Sequence, residues 1–118
     1  MMPEEPFEAA ALVLTRVIST VDHERICLDL GHKSLSADYP QPRVYFLNAP
    51  EALPLSHSEE HLVVKVADSS KYAVGELFYG VPQHICPTVA LYERAIVVDG
   101  NNAVGEWSVT ARDKKLKW

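Results

Sequence analysis

The sequence predicts an all-β domain, a small antiparallel β-barrel or sandwich. Its apolar residues fall in short, β-branched runs, prolines and glycines punctuate the chain between those runs, and no long segment carries a helical period. The runs are Leu12 to Val21, Ile26 to Leu30, Val44 to Leu47, Leu62 to Val66, Leu77 to Val81, Ala95 to Val98 and Ala103 to Val109. Each reads as a strand, and closing such strands on one another removes the exposed edges that invite aggregation.

The first run follows an alanine-rich stretch from Glu4 that competes as helix, but Val13, Val17, Ile18 and Val21 are β-branched, so strand is expected from about Leu12. In the fourth run, Leu62, Val64 and Val66 alternate with Val63, Lys65 and Ala67, the period-two pattern of a half-buried strand. Between the last two runs, Asp99-Gly100-Asn101-Asn102 can supply the positive backbone angles of a tight turn, which predicts a terminal hairpin. Most of the 8 prolines lie in the connections, including the stretch Pro40 to Pro54, because proline lacks a ladder donor. A single helical turn is expected within Thr88 to Glu93, after Pro87.

With 118 residues the chain reads as one domain, 1–118, in which residues 1–10 form a linker. At 47% hydrophobic and 23% charged residues, the composition is that of an ordinary folded domain. A net charge of −5, with basic residues clustered only at Arg112, Lys114, Lys115 and Lys117, argues against a nucleic-acid partner. No apolar run is long enough to span a bilayer, and the first residues are acidic, so neither membrane nor export is expected. Cys27 and Cys86 are too far apart for a CxxC motif, and a reducing, cytoplasmic setting follows as the default.

The chemistry concentrates in Val81-Pro82-Gln83-His84-Ile85-Cys86-Pro87. On an extended backbone, side chains two apart point the same way, about 6 to 7 Å apart at Cα. His84 and Cys86 would then share a face, with Ile85 turned into the core. An imidazole and a thiolate can converge on zinc at about 2.0 and 2.3 Å, leaving positions open for water or substrate. Spacing alone also fits a chance pairing of a surface histidine with a buried cysteine. His61 is a candidate proton carrier or a hydrogen-bonded structural residue. Asp29 is expected to fix a turn, Cys27 to pack in the core or on a shielded face, and Tyr92 and Trp107 to be packing residues, in the core or at a domain interface.

Three segments carry a family resemblance. Leu28 to Ser36 resembles an LDxGxKxLS motif, Ser58-Glu59-Glu60-His61 an EEH motif, and Val81 to Leu91 a P-x-H-x-C-P-T-x-x-L motif, with Gly75 ahead of the last. In this order, across Ile18 to Arg112, they are similar to the C-terminal domain of the D-threonine aldolase and D-serine dehydratase family. The resemblance implies a β domain like that of alanine racemase, which in the family follows a pyridoxal-phosphate-binding barrel and forms part of a homodimer. It further implies that His84 and Cys86 bind a divalent metal, zinc or manganese, that engages the hydroxyl of a D-amino acid substrate. Some members carry aspartate at the position of Cys86, and a thiolate favours zinc, so aldolase and dehydratase both stay open. The barrel and its cofactor lysine have no counterpart in these 118 residues, which by themselves are expected to be inactive. Excised lyase domain, free-standing metal-binding module and non-catalytic interaction module are the three readings that follow.

Overall fold

The computed structural model describes residues 8–112 and 115–117. Residues 1–7 of the expected linker, and Lys114 of the basic tail, lie outside the described residues. The fold is all-β. Six strands form one antiparallel sheet: β1 (Val13–Asp22), β2 (Arg25–Leu28), β3 (Val44–Phe46), β4 (Leu53–His57), β5 (Leu62–Lys65) and β6 (Leu77–Pro82). Their order is β3-β6-β1-β2-β5-β4, curled into a nearly closed barrel. After β6 come a short helix, α1 (Ile85–Val89), and a separate hairpin of β7 (Arg94–Asp99) and β8 (Asn102–Ser108). No described helix is long and apolar enough to cross a membrane.

All seven expected runs contain a strand. Alternation decides which side of each is buried: on β1, Val13, Thr15 and Val17 face the core while Leu14, Arg16 and Ile18 face out. The core is built on Phe78, Ile26, Leu28, Leu62, Val44 and Val64, with Phe46 and Tyr72 packed edge-on to Phe78 at ring-centroid distances of 5.2 and 5.4 Å. The hairpin turn is as expected. Asp99 pairs with Asn102, Gly100 alone takes a positive φ of 61°, and this pattern of glycine first in a two-residue loop is that of a type II′ turn.

One strand lies where a connection was expected. Leu53–His57 pairs with β5 despite Pro54, because β4 is an edge strand and a register shift between Pro54 and Ser56 accommodates the missing donor. Opposite it, β3 is the other edge. The seam between the two is bridged by Arg43, just before β3, whose Nη1 donates to Nδ1 of His57 at the end of β4 at 3.0 Å.

The His57 ring is packed edge-on against His32 at 4.4 Å. Its Nε2 is sealed from solvent without a well-formed hydrogen bond, although the backbone of Leu30 and Gly31 passes beside it. Burial, first of all, lowers the pKa of His57 below its ordinary 6.5; the Gly31 backbone opposes it, and the neighbouring His32 and Arg43 act in the same direction as burial. An unfolded chain therefore takes up the proton before the folded one does. The contribution is whole above pH 6.5 and is lost as the pH falls from there through the lowered folded-state value. Urea unfolding between pH 8 and 5 should show stability declining on the acid side, and His57→Gln should flatten that decline. A separate loss should follow at lower pH, where Asp38, Glu51 and Glu60, all held below their ordinary values by hydrogen bonds, become protonated.

Candidate metal centre

The three sequence motifs meet at one end of the barrel. The first, running out of β2, loops through Gly31 to Ser36; the second is the turn from β4 to β5. They are zipped together by the backbone, with the amide of His32 donating to the Ser58 carbonyl at 2.8 Å and that of Lys33 to the Glu59 carbonyl at 3.4 Å. The ion pair of Lys33 with Glu60 at 2.5 Å and the contact of His32 Nδ1 with Glu59 Oε1 at 3.4 Å lie over the same crossing. Gly31 makes the crossing possible, because a Cβ there would fall 2.2 Å from the Glu59 carbonyl oxygen.

The third motif docks on the first. Thr88, almost fully buried in α1, donates its hydroxyl hydrogen to the His84 carbonyl at 2.8 Å and accepts from the Ser36 amide at 3.0 Å. Tyr92, whose ring packs on the core, donates to the Ser34 carbonyl at 2.7 Å. Burial raises the pKa of this phenol. The clasp formed by Thr88 and Tyr92 holds the loop of Ser34 to Tyr39 against the start of α1.

At this junction sits His84. Its Nδ1 is 2.6 Å from Oδ2 of Asp38, and its ring stacks on Tyr39 at 4.8 Å with 26° between planes. Asp38 in turn accepts from the Ser36 hydroxyl on Oδ1, and that bond, ahead of the one to His84, lowers the pKa of its carboxyl. With Nδ1 engaged, Nε2 is the nitrogen of His84 left to bind anything else; the side chain is 33% exposed. Cys86 is an exposed free thiol.

The backbone here differs from the expected one. His84 is extended, with φ −129° and ψ 99°, but it caps α1, and Cys86 is already inside the helix. His84 and Cys86 are therefore not set side by side by one extended segment, and Ile85 is exposed at 41% rather than turned into the core. The helix starts here because Pro87 falls in its first turn, where a missing N–H costs no bond and the fixed φ suits helix. The expected helical turn thus begins before Pro87 and ends at Val89. Imidazole nitrogen and thiolate sulfur remain a donor pair of the kind zinc takes, and among the described residues no group of three or more His, Cys, Asp or Glu side chains is gathered for a metal.

The other residues separate from it. His61 is exposed and precedes β5; the Ser58 amide and hydroxyl donate to its carbonyl at 2.9 and 3.3 Å, so its role in the turn is through the backbone. Asp29 is structural: from the bend just after β2 its Oδ1 accepts from Thr15 Oγ1 of β1 at 2.6 Å and from the Arg16 amide at 2.7 Å. Cys27 is core, and burial raises its thiol pKa. Trp107, expected to pack, is 71% exposed. Sequence reasoning missed Asp38, Ser36 and Tyr39. Ser36 closes the first motif and Asp38 and Tyr39 follow it, and nothing local to them tells which histidine, 46 positions on from Asp38, they will meet.

Comparison with known proteins agrees with this fold. The family described as "Putative serine dehydratase domain" matches residues 10–98. D-threonine aldolase of Arthrobacter sp is 30% identical over 107 residues, which are 90% of this chain and 28% of that protein. The crystal structure of D-threonine aldolase from Filomicrobium marinum superimposes with a TM-score of 0.81 at 29% identity, over 94% of this chain and 30% of that one. D-threo-3-hydroxyaspartate dehydratase from Delftia sp. HT23 shares the fold, with a TM-score of 0.68 at 21% identity over 82% of this chain and 31% of that one. The chain thus spans under a third of the length of these relatives. With its three motifs joined at one end of the barrel and most of its length inside the match, the chain belongs to the D-serine dehydratase-like family, as its C-terminal β domain.

Proposed function

We propose that residues 1–118 act as one domain, with 1–10 as linker, of a metal-dependent pyridoxal-phosphate lyase of D-3-hydroxy amino acids. Either a D-threonine aldolase or a D-serine dehydratase reaction fits, in a reducing cytoplasm where Cys86 stays a thiol. The observation that carries the reading is the presentation of His84, anchored through Nδ1 and free at Nε2, next to an exposed Cys86. His84 Nε2 and Cys86 Sγ would hold zinc or manganese, whose chemistry when bound is to polarise the substrate hydroxyl. The chain's own contribution is to orient: Thr88 and Tyr92 hold the loop, and Asp38 and Tyr39 hold the ring. Among relatives of the same fold, a D-threo-3-hydroxyaspartate dehydratase has been studied as histidine-to-alanine and cysteine-to-alanine variants two positions apart, the latter in a metal-free form. That spacing is the spacing of His84 and Cys86.

The rest of the active site, including the cofactor lysine, would come from a barrel domain, and the assembly would be a homodimer. Exposed apolar side chains support a partner surface: Leu14 and Tyr79, cross-strand neighbours on the outer face, and Ile96, Val98, Val104 and Trp107 on the hairpin. The same surface is the observation that favours the second reading, a non-catalytic interaction module.

The test is titration of cobalt or zinc into the reduced chain at pH 7.5. Wild type should bind weakly, with a cobalt–thiolate charge-transfer band, since two ligands hold far less than the roughly 10 to 16 kcal/mol of a closed zinc site. His84→Ala and Cys86→Ser should each abolish the band and weaken binding about tenfold or more. Affinity unchanged by either substitution would remove both residues from the ligand set.

A further inference from the structure

We propose that Asp38 is a positioning residue for His84, locking the imidazole in the Nδ1–H tautomer with Nε2 bare and facing away from the loop. An ionised carboxylate only accepts, so a 2.6 Å contact between Asp38 Oδ2 and His84 Nδ1 places the ring hydrogen on Nδ1. A neutral ring carrying that hydrogen has a lone pair on Nε2, the form that binds a metal. Free histidine favours the opposite tautomer, so the loop works against an intrinsic preference.

Three further contacts make the arrangement stiff. Ser36, itself buried, occupies Oδ1 and orients the carboxylate. Tyr39 stacks on the ring and limits its rotation. Thr88 ties the Ser36 amide to the His84 carbonyl, so carboxylate and ring belong to one hydrogen-bonded unit. Each Asp38 oxygen carries a hydrogen bond within this unit, which makes the residue an orienting group for the ring. Carboxylate-to-histidine bonds of this kind fix ring orientation and raise ligand basicity at metal sites.

The effect on metal binding rests on the reading of His84 as a ligand; the tautomer does not. Long-range proton–nitrogen NMR on the metal-free chain at pH 8 reads the tautomer directly. Wild type should show a protonated Nδ1 and a bare Nε2 at His84, and Asp38→Ala should shift the ring towards Nε2–H. Asp38→Glu should retain part of the wild-type signature. Cobalt affinity, measured on the same samples, should fall about 10- to 100-fold in Asp38→Ala. An unchanged His84 tautomer in Asp38→Ala overturns the proposal. A changed tautomer with unchanged cobalt affinity, in a chain where His84→Ala loses the metal, overturns its functional half. If His84→Ala leaves cobalt binding intact, the ligand assignment fails instead, while the NMR arm still decides whether Asp38 holds the ring.

Discussion

Replacing Gly31 by alanine should cost the domain about 3 kcal/mol or more, a large part of the roughly 5 to 15 kcal/mol that keeps a domain folded. The added Cβ would lie 2.2 Å from the Glu59 oxygen, 2.3 Å from its carbonyl carbon and 2.4 Å from the Glu60 Cα. All three are backbone atoms, so no rotamer change relieves the overlap. The turn itself must move, and with it the bonds from His32 and Lys33 that join the first two motifs. Gly105, in β8, is the internal control, because a Cβ there meets nothing. Gly105→Ala should be close to neutral. Thermal unfolding of the two variants should separate them by about 10 °C or more, and equal midpoints would show that the crossing of the motifs carries no strain-sensitive packing.

The second large effect is all-or-none. Incubated with pyridoxal phosphate, the 118-residue chain should form no stoichiometric lysine adduct after borohydride reduction, and should not turn over D-threonine or D-serine. A lysine that takes up this cofactor as a nucleophile is desolvated or set beside another cation, so that its pKa falls. The lysines described here are in the opposite state. Lys33 and Lys65 are 68% and 54% exposed and paired with glutamates, and Lys71, Lys115 and Lys117 are exposed as well. The pKa of Lys33 is raised, first by its hydrogen bond to Glu60. A single reduced adduct at one lysine, with activity, would contradict the proposed division of labour. Activity that appears only when a barrel domain from a D-threonine aldolase is added would support it.

Strand content was legible because alternation is a local property. A run such as Leu62 to Lys65 buries every second residue whatever its neighbours turn out to be, and Gly100 declares its turn by the backbone angle it permits. The edge strand Leu53–His57 was not legible, because proline is excluded from a strand only when its missing donor faces a neighbour, and which strands lie at an edge is a property of the whole sheet. The H-x-C pair was legible as residue types, and its geometry was not: the same seven residues satisfy an extended segment or a strand running into a helix. Here Thr88, buried against Ser36 across the fold, accompanies the second.

What the sequence determined by itself was therefore the all-β class, the family through its three motifs, and His84 and Cys86 as the donors to examine. Only the tertiary structure decided that the motifs converge, that Gly31 is the point where two of them cross, and that Asp38 takes one nitrogen of His84 and leaves the other. The physical reason is range. Side-chain alternation and turn angles act between adjacent residues, whereas a hydrogen bond across 46 positions exists only after the chain has folded and brought its two ends to within 2.6 Å.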